Sequence, residues 1–434
     1  MSDALPLLDR ISARDATVVV FGQGYVGLLL ALHASDAGFE VVGVEPDAAR
    51  AAALAKGSSY VDDVPDDLLQ RMLDRGYRVV SSVEDIPPFD VAVIAVPTPL
   101  REGRPDLRAI EEAGDWAGRA LQPGALVVLE STTYPGTTRE LLVPILESAS
   151  GLTCGTDFLT AYSPERIDPG SRTFTLASTP KVLAGMDDAA LAAGRAFYGS
   201  FVETLVCLDR PEEAELTKLL ENTFRHVNIA LVNELAVFAH DLGVDLDAAI
   251  DAAATKPFGF MAFRPGPGVG GHCLPVDPSY LSWKVERDLG TPFRFVELAN
   301  EVNAHMAPHV VRRVQDQLNA DGIAIKGSTI VVLGLAYKPD TGDVRESPST
   351  PIIAELGRLG ADVIAVDPHV DPSLAQVSVP LSDLTAEILE DADLVLVLTN
   401  HSTFDLDLVA RHARRVFDTR ACMPTGAQAA VERL

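Results

Sequence analysis

The feature that most constrains this chain lies close to its start. Thr17 to Phe21 reads TVVVF, an apolar run of strand length, and leads into Gly22-Gln23-Gly24-Tyr25-Val26-Gly27 and the helical pattern LLLALHASDAG. A second apolar run, Glu40 to Val44, ends in Glu45, about 20 residues beyond the glycines, the interval of a βαβ unit. Such a unit requires parallel strands with the crossover helix packed on them. GxGxxG in this position leaves backbone amides and a helix N-terminus to meet a pyrophosphate. Glu45 then accepts hydrogen bonds from a ribose 2′-hydroxyl and repels a 2′-phosphate, so NAD is expected rather than NADP. A lone glycine turn would suit mere packing of a helix on a sheet; strand, helix and terminal acid together argue against that. Arg50 either lies near the adenosine or is a solvated surface arginine.

The alternation continues with VAVIAV (91–96), ALVVLE (125–130) and Phe158 to Tyr162, separated by helical stretches, which predicts a parallel sheet ending near residue 208. From Pro211 to Gly243 the chain lacks interior Gly and Pro and keeps apolar residues at helical spacing, predicting one long helix. A loop dense in Gly and Pro, 258–278, precedes further helix. Lys326-Gly327-Ser328 and TIVVLGLAYK then restart the strand-helix alternation. The expected fold is α/β: two Rossmann-like doubly wound parallel-sheet domains, 1–208 and 322–434, joined by a central helical domain, 209–321, that contains the long helix. At 434 residues the chain exceeds what one core usually organises.

Composition narrows the partners. With 35 Lys and Arg against 62 Asp and Glu, the net charge of −27 excludes a chain that wraps nucleic acid or lies on an anionic membrane. Cys154, Cys207, Cys273 and Cys422 form no CxxC pair, and a chain of this length needs no disulfide staples, so a reducing cytoplasm is expected. The first residues carry acids and no apolar signal region, and the apolar runs are of strand length, so neither signal peptide nor membrane span is expected.

Two further segments carry chemistry. Residues 265–278 read PGPGVGGHCLPVDP; glycines let backbone approach a ligand closely, and their density around Cys273 points to a thiol presented to substrate rather than buried. Asp277, four residues on, suits a partner for a catalytic water. His272 has no second clustered ligand, so zinc is not expected. Lys218 and Asn222 stand four apart in the long helix and share a face, a donor pair able to steady an oxyanion or a water; a solvated strip is the bland alternative.

Taken in order, GQGYVGL (22–28), VPTP (96–99), STTYPGTT (131–138), YSPERIDPG (162–170), AELTKLLENTFRHVNIALVNELA (214–236), GPGVGGHCLPVDP (266–278), YKPDTGDVRESP (337–348) and DTR (418–420) resemble the UDP-glucose/GDP-mannose dehydrogenase superfamily. These NAD-dependent enzymes oxidise C6 of a nucleotide sugar to a carboxylate. The resemblance implies that Cys273 is the nucleophile, that Lys218 and Asn222 hold the reacting oxygen and water, that Asp277 and Glu165 serve proton transfer, and that Thr132 binds the water. It places Gly22, Gly24, Tyr25, Val26, Gly27, Glu45, Arg50, Pro97, Thr98, Thr132 and Arg345 around the cofactor. Glu165, Arg166, Lys218, Asn222, Arg264, Gly270, Tyr337, Lys338 and Arg420 fall around the nucleotide sugar, Arg264 across a subunit interface. No metal is implied, and a homodimer is expected from the apolar stripe of the long helix.

GGHCLPVDP with the preceding FGFMAFRPGPG is closer to the branch acting on UDP-N-acetylglucosamine or UDP-N-acetylmannosamine than to the UDP-glucose branch, where serine commonly precedes the cysteine. The same chemistry on UDP-glucose or dTDP-glucose is the alternative substrate reading. A two-electron NAD dehydrogenase without a nucleophile, and an inactive NAD-binding protein, are the rivals from other classes.

Overall fold

In the computed structural model, residues 4–167, 174–271, 274–375 and 377–434 are described; Cys273 and His272 lie outside them. The N-terminal part runs α1 (Ala4–Ala13), β1 (Thr17–Phe21), α2 (Gly27–Asp36), β2 (Glu40–Val44), α3 (Ala48–Ala55), α4 (Asp66–Asp74), β3 (Arg78–Val80) and β4 (Val91–Ile94). A short hairpin, β5 (Leu100–Arg101) and β6 (Arg104–Pro105), leads to α5 (Arg108–Ala120), β7 (Leu126–Leu129), α6 (Val143–Ser150), β8 (Leu159–Tyr162), β9 (Lys181–Gly185), α7 (Asp188–Tyr198) and β10 (Leu205–Leu208). The helices α8 (Pro211–Leu242), α9 (Leu246–Ala254), α10 (Asp277–Leu289) and α11 (Arg294–Ala320) follow. The C-terminal part comprises β11 (Thr329–Leu333), α12 (Ser349–Arg358), β12 (Asp362–Val366), α13 (Ala386–Asp391), β13 (Leu394–Val397), α14 (Leu406–His412), β14 (Arg415–Asp418) and β15 (Ala430–Arg433).

Eight strands form one sheet in the order β10-β9-β8-β7-β4-β1-β2-β3, and five form another in the order β12-β11-β13-β14-β15. The sequence of β1, β4, β7 and β13 explains their central places: apolar residues, mostly Val, Leu and Ile, follow one another without alternation, and every residue of β4, β7 and β13 is buried, as strands covered by helices on both faces require. One departure from the expected parallel sheet is found: β8 and β9 pair antiparallel through Ala161 and Tyr162. Because β9 starts at the edge where β8 ends, no crossover helix is required between them, and the residues of β9 alone do not reveal its direction.

The chain divides into two compact units, Met1–Glu221 with Ser279–Leu289, and Asn222–Pro278 with Gly290–Leu434. In the first, Phe21 pairs with both Val44 and Ile94, and Leu129 pairs with Ile94 and Tyr162. The segments beginning at Gly22, Glu45, Ala95, Glu130 and Ser163 therefore all leave the carboxyl edge of one sheet, where open α/β sheets bind ligands. The long helix α8 begins with Pro211, suited to a first helical turn, and runs for 32 residues. Its buried face holds Glu215, Lys218, Leu219, Asn222, His226 and Asn233.

Candidate active site

At the carboxyl edge of the first unit's sheet, Gly27 sits so close to the preceding turn that a Cβ there would drive into the Gly22 carbonyl oxygen. Gly24 differs: a Cβ would meet nothing of the chain within 4 Å. Packing does not demand glycine at 24, so the open space before the turn fits a diphosphate approaching the amides closely. Glu45 closes β2, buried, with Oε1 accepting from the Asp47 amide at 3.1 Å and Oε2 from the Gln23 amide at 3.4 Å and the Tyr60 hydroxyl at 3.3 Å. The long bonds at Oε2 leave a carboxylate with acceptor capacity for ribose hydroxyls. Burial, followed by the Glu45 charge, pushes the Tyr60 hydroxyl pKa up. Arg50 stacks on the Tyr60 ring at 5.3 Å, which sets it beside this acid. These residues fit NAD. Pro97 is exposed and Thr98 buried, the Thr98 carbonyl accepting from the Tyr280 hydroxyl at 2.7 Å. Tyr25, Val26 and Thr132 are half-buried.

Glu165 leaves the same edge. Its Oε1 accepts from the amides of Arg166 and Ile167 at 2.6 and 2.5 Å, which fixes the carboxylate, while Arg166 pairs with Glu221 at 2.7 Å. Lys218 is buried, and among the described residues no hydrogen bond or ion pair meets its ammonium. Its ammonium is therefore not committed to the fold and is available to a ligand.

In the second unit, Asn222 Nδ2 donates to Asp277 Oδ2 at 2.5 Å, both side chains buried. Asp277 is the first residue of α10, where the helix N-terminus favours its charge. The glycine-rich loop lies against residues 337–348: the Gly271 amide donates to the Arg345 carbonyl at 3.1 Å, and a Cβ on Gly271 (φ +84°) would stand 2.7 Å from the Tyr337 ring. Gly270 is equally tight, with a Cβ 2.7 Å from both the Tyr337 Cβ and the Glu346 carbonyl oxygen. Two sequence motifs some 65 residues apart are thus one structure, and glycine is needed for the approach.

Arg420 is half-buried beside the start of that loop; its Nε donates to the Leu398 carbonyl at 2.7 Å. Burial lowers its pKa to about 10, against the pull of Cys422 and Asp418. Lys338 is half-buried, with its ammonium 6.0 Å from the Tyr337 ring centroid. Arg345 is exposed and its guanidinium pairs with Asp343 at 2.5 and 2.8 Å. Arg264 is exposed and pairs with Asp247 at 3.0 Å and with Asp251. Asp340, His369 and His401 have ligand atoms within 4.8 Å of one another. His401, however, receives the Asp340 amide at Nδ1, 2.9 Å, and bonds Asp367 through Nε2, 3.0 Å. Both ring nitrogens are engaged in anchoring a turn.

Sequence reading missed two buried groups. Lys181, at the head of β9, pairs with Glu130 at 3.0 Å and Glu165 at 3.8 Å. Burial works to lower the lysine's pKa, but the two carboxylates outweigh it and raise it; burial raises that of Glu130, with Lys181 opposing. The one signal was a lysine opening an otherwise apolar strand, KVLAG. The second group is an amide chain: Asn233 Oδ1 accepts from the Gly266 amide at 2.9 Å, and Asn233 Nδ2 donates to Asn303 at 2.9 Å. His226 Nε2 bonds Asn300 at 2.8 Å. These tie the loop's start to α8 and α11.

Three models of the UDP-glucose/GDP-mannose dehydrogenase family match: the NAD binding domain over residues 16–202, the central domain over 212–305 and the UDP binding domain over 331–425. The UDP-N-acetyl-D-mannosamine dehydrogenase of Pyrococcus horikoshii is 34% identical over 389 residues, covering 89% of this chain and 90% of that protein. The UDP-N-acetyl-D-glucosamine 6-dehydrogenase of Pseudomonas aeruginosa is 33% identical over 393 residues, covering 90% and 92%. Among solved structures, a UDP-D-ManNAc dehydrogenase from Pyrococcus horikoshii superposes with a TM-score of 0.86 at 32% identity, covering 96% of this chain and 98% of the other. A UDP-glucose dehydrogenase from Pyrobaculum islandicum gives 0.84 at 29% identity, covering 93% and 94%.

Proposed function

The chain belongs to the UDP-glucose/GDP-mannose dehydrogenase family and is an NAD-dependent nucleotide-sugar dehydrogenase, and from that premise we propose that it oxidises C6 of a UDP-N-acetylhexosamine to the carboxylate in two steps. The observation that carries the reading is the buried Asn222–Asp277 hydrogen bond, which joins the long helix to the end of the cysteine loop. The N-acetylated substrate is supported by the loop form GGHCLPVDP and by the names of the two curated relatives above. UDP-glucose or dTDP-glucose is the second reading, favoured by the TM-score of 0.84 to a UDP-glucose dehydrogenase. The functional division of the chain is 1–208 for the cofactor, 209–321 for the cysteine loop and dimerisation, and 322–434 for the nucleotide.

Bound NAD supplies the hydride acceptor, one equivalent for each of the two oxidations. Glu45, Arg50, Thr98 and the glycine turn hold it, and Lys338, Arg345, Arg420 and Tyr337 are assigned to the ligands' phosphates and nucleotide. The C6 hydroxyl loses its proton to a water held by Asp277, Thr132 and Asn222 as the first hydride leaves. Cys273 thiolate adds to the aldehyde carbon, forming a C–S bond and keeping a reactive intermediate from escaping. Loss of the second hydride gives a thioester. Water attacks its carbonyl, the C–S bond breaks, the thiolate is regenerated, and Glu165 takes the water's proton. Lys218 and Asn222 donate to the negative oxygen in these steps, where losing one donor typically costs about a hundredfold in rate.

The chain is also assigned to a homodimer. Leu216, Leu220, Phe224, Leu231, Leu235 and Phe238 form an exposed apolar stripe on α8, opposite the face that holds Lys218 and Asn222. A monomeric mass in light scattering at micromolar concentration would refute it. No helix among the described residues is long and apolar enough to cross a membrane, and Cys154, Cys207 and Cys422 are unbridged, which supports a cytoplasmic enzyme. A panel of UDP- and dTDP-sugars with product identification tests the main reading. Two NADH per sugar and a uronate are expected; one NADH with an aldehyde or ketone product would overturn it.

A further inference from the structure

The first unit buries a cluster of ionisable groups in which the family resemblance gives a role to Glu165 and to none of the others. Lys181 is 4% exposed at its side chain, and its ammonium stands between Glu130 and Glu165 and 5.0 Å from the Tyr198 ring centroid. The Tyr198 hydroxyl donates to Glu130 Oε1 at 2.5 Å. Four elements contribute: Glu130 follows β7, Glu165 follows β8, Lys181 opens β9 and Tyr198 ends α7. Stability alone gives little reason for the arrangement, since an apolar replacement of a buried ion pair is often neutral or stabilising. Its composition is telling: two carboxylates share one ammonium. Oε2 of Glu165 and Oε2 of Glu130 are both buried without a hydrogen-bond partner among the described residues. A crevice of about 10 Å³ opens beside Glu165, Ile167, Thr179 and Lys181, space on the order of one water.

We propose that Lys181 is a positioning residue for Glu165: its ammonium, balanced by Glu130, fixes the Glu165 carboxylate and keeps Oε2 ready to accept a proton from water. This rests on the assignment of Glu165 to proton transfer made above. The physical reason is local charge. With the ammonium between them, both carboxylates can stay ionised; without it, two neighbouring carboxylates in a buried site retain a proton. The other charged groups facing the cluster are His33 on α2, which feels the Glu165 charge, and the Arg166–Glu221 pair reaching α8. Arg166 is committed to Glu221, which leaves Lys181 as the cation shared by Glu130 and Glu165.

The test is the pH dependence of kcat for the full-length enzyme and its Lys181→Met, Lys181→Arg and Glu130→Gln variants, with melting temperature and NAD binding measured on each. The acid limb is expected to move to higher pH by about one unit or more in Lys181→Met, to return toward its original position in Lys181→Arg, and to move to lower pH in Glu130→Gln. A lowered kcat with the limb unmoved would overturn the inference and leave Lys181 purely structural. Where Lys181→Met does not fold, Glu130→Gln decides, because its shift has the opposite sign. Glu165→Gln is run in parallel. Full turnover in that variant removes the underlying role of Glu165, whereas an inactive Glu165→Gln with an unmoved limb in Lys181→Met removes this inference alone.

Discussion

Glu45 follows β2 in the first sheet and Asp367 follows β12 in the second, each the acid that closes a βαβ unit, yet their oxygens are occupied differently. Glu45 Oε2 is held by bonds of 3.3 and 3.4 Å, and the turn before it has open space at Gly24. Asp367 is spent on its own fold. Its Oδ2 accepts from the amides of Leu335 and Ala336 at 2.7 and 3.1 Å and bonds His401 at 3.0 Å, while Oδ1 accepts from the amides of His369 and Val370 at 2.9 and 3.2 Å. The amides that would face a diphosphate in the second turn are already taken by a carboxylate. Two sheets of like topology therefore differ in what they can bind: the first offers its turn, and the second must hold a nucleotide with side chains beyond the turn, such as Lys338 and Arg420. The lesson is that the βαβ pattern licenses a dinucleotide site only where the acid's lone pairs and the turn's amides are left for a ligand.

The strongest way to break this comparison is to remove each acid. Asp367→Ala strands four backbone amides and His401, and is expected to cost about 3–5 kcal/mol of stability while leaving NAD affinity in the surviving folded protein unchanged. Glu45→Ala should do the reverse: a melting temperature near wild type, weaker NAD binding, and a smaller preference for NAD over NADP. Calorimetric melting with NAD titration reads both. An Asp367→Ala protein of undiminished stability would show that the second acid is not structural.

Glycine substitutions sharpen the same contrast with a somewhat smaller effect. Gly334 has φ +92°, and a Cβ there would collide with Thr399, so Gly334→Val is expected to lower stability by about 3 kcal/mol. At Gly24 a Cβ meets no protein atom within 4 Å, so Gly24→Val should leave folding intact while weakening NAD about a hundredfold, through the space the diphosphate needs. Equal melting temperatures for the two variants would contradict the reading.

What was legible in advance follows from how local each signal is. The glycine turn, Glu45, the buried strands and α8 each rest on spacing within one or two turns of chain, and each stands where the pattern put it. Asp367 could not be told from Glu45 in sequence, because the difference lies in amides and a histidine supplied by other segments. Lys181 was passed over for the same reason: Glu130 is 51 residues away, just beyond another strand. The antiparallel entry of β9 is a property of the path between strands, not of KVLAG. The short helix α1, Ala4–Ala13, was also unanticipated; its residue Ile11 is fully buried in the first core, a tertiary contact that the acidic, irregular N-terminal sequence does not advertise.

The smallest expected effect is a pH dependence confined to the second sheet. Burial alone would push the Asp367 carboxyl up; the His401 bond and the backbone amides of Leu335 and His369 outweigh it and hold the pKa at about 2. In the unfolded chain the group titrates near ~3.9. A folded value below the unfolded one means that the contribution is present in full above the unfolded pKa and is lost as pH falls through the folded one. The window is therefore roughly pH 4 to 2, and the amount roughly 2.6 kcal/mol. Asp367→Asn keeps the shape and one acceptor oxygen but cannot titrate. Its stability, though lower at neutral pH, should fall less steeply than wild type across that window in denaturant melts. Parallel curves for the two proteins would mean that the carboxylate's bonds do not favour its charged form, and the contrast between a committed acid in one sheet and an available one in the other would lose its physical basis.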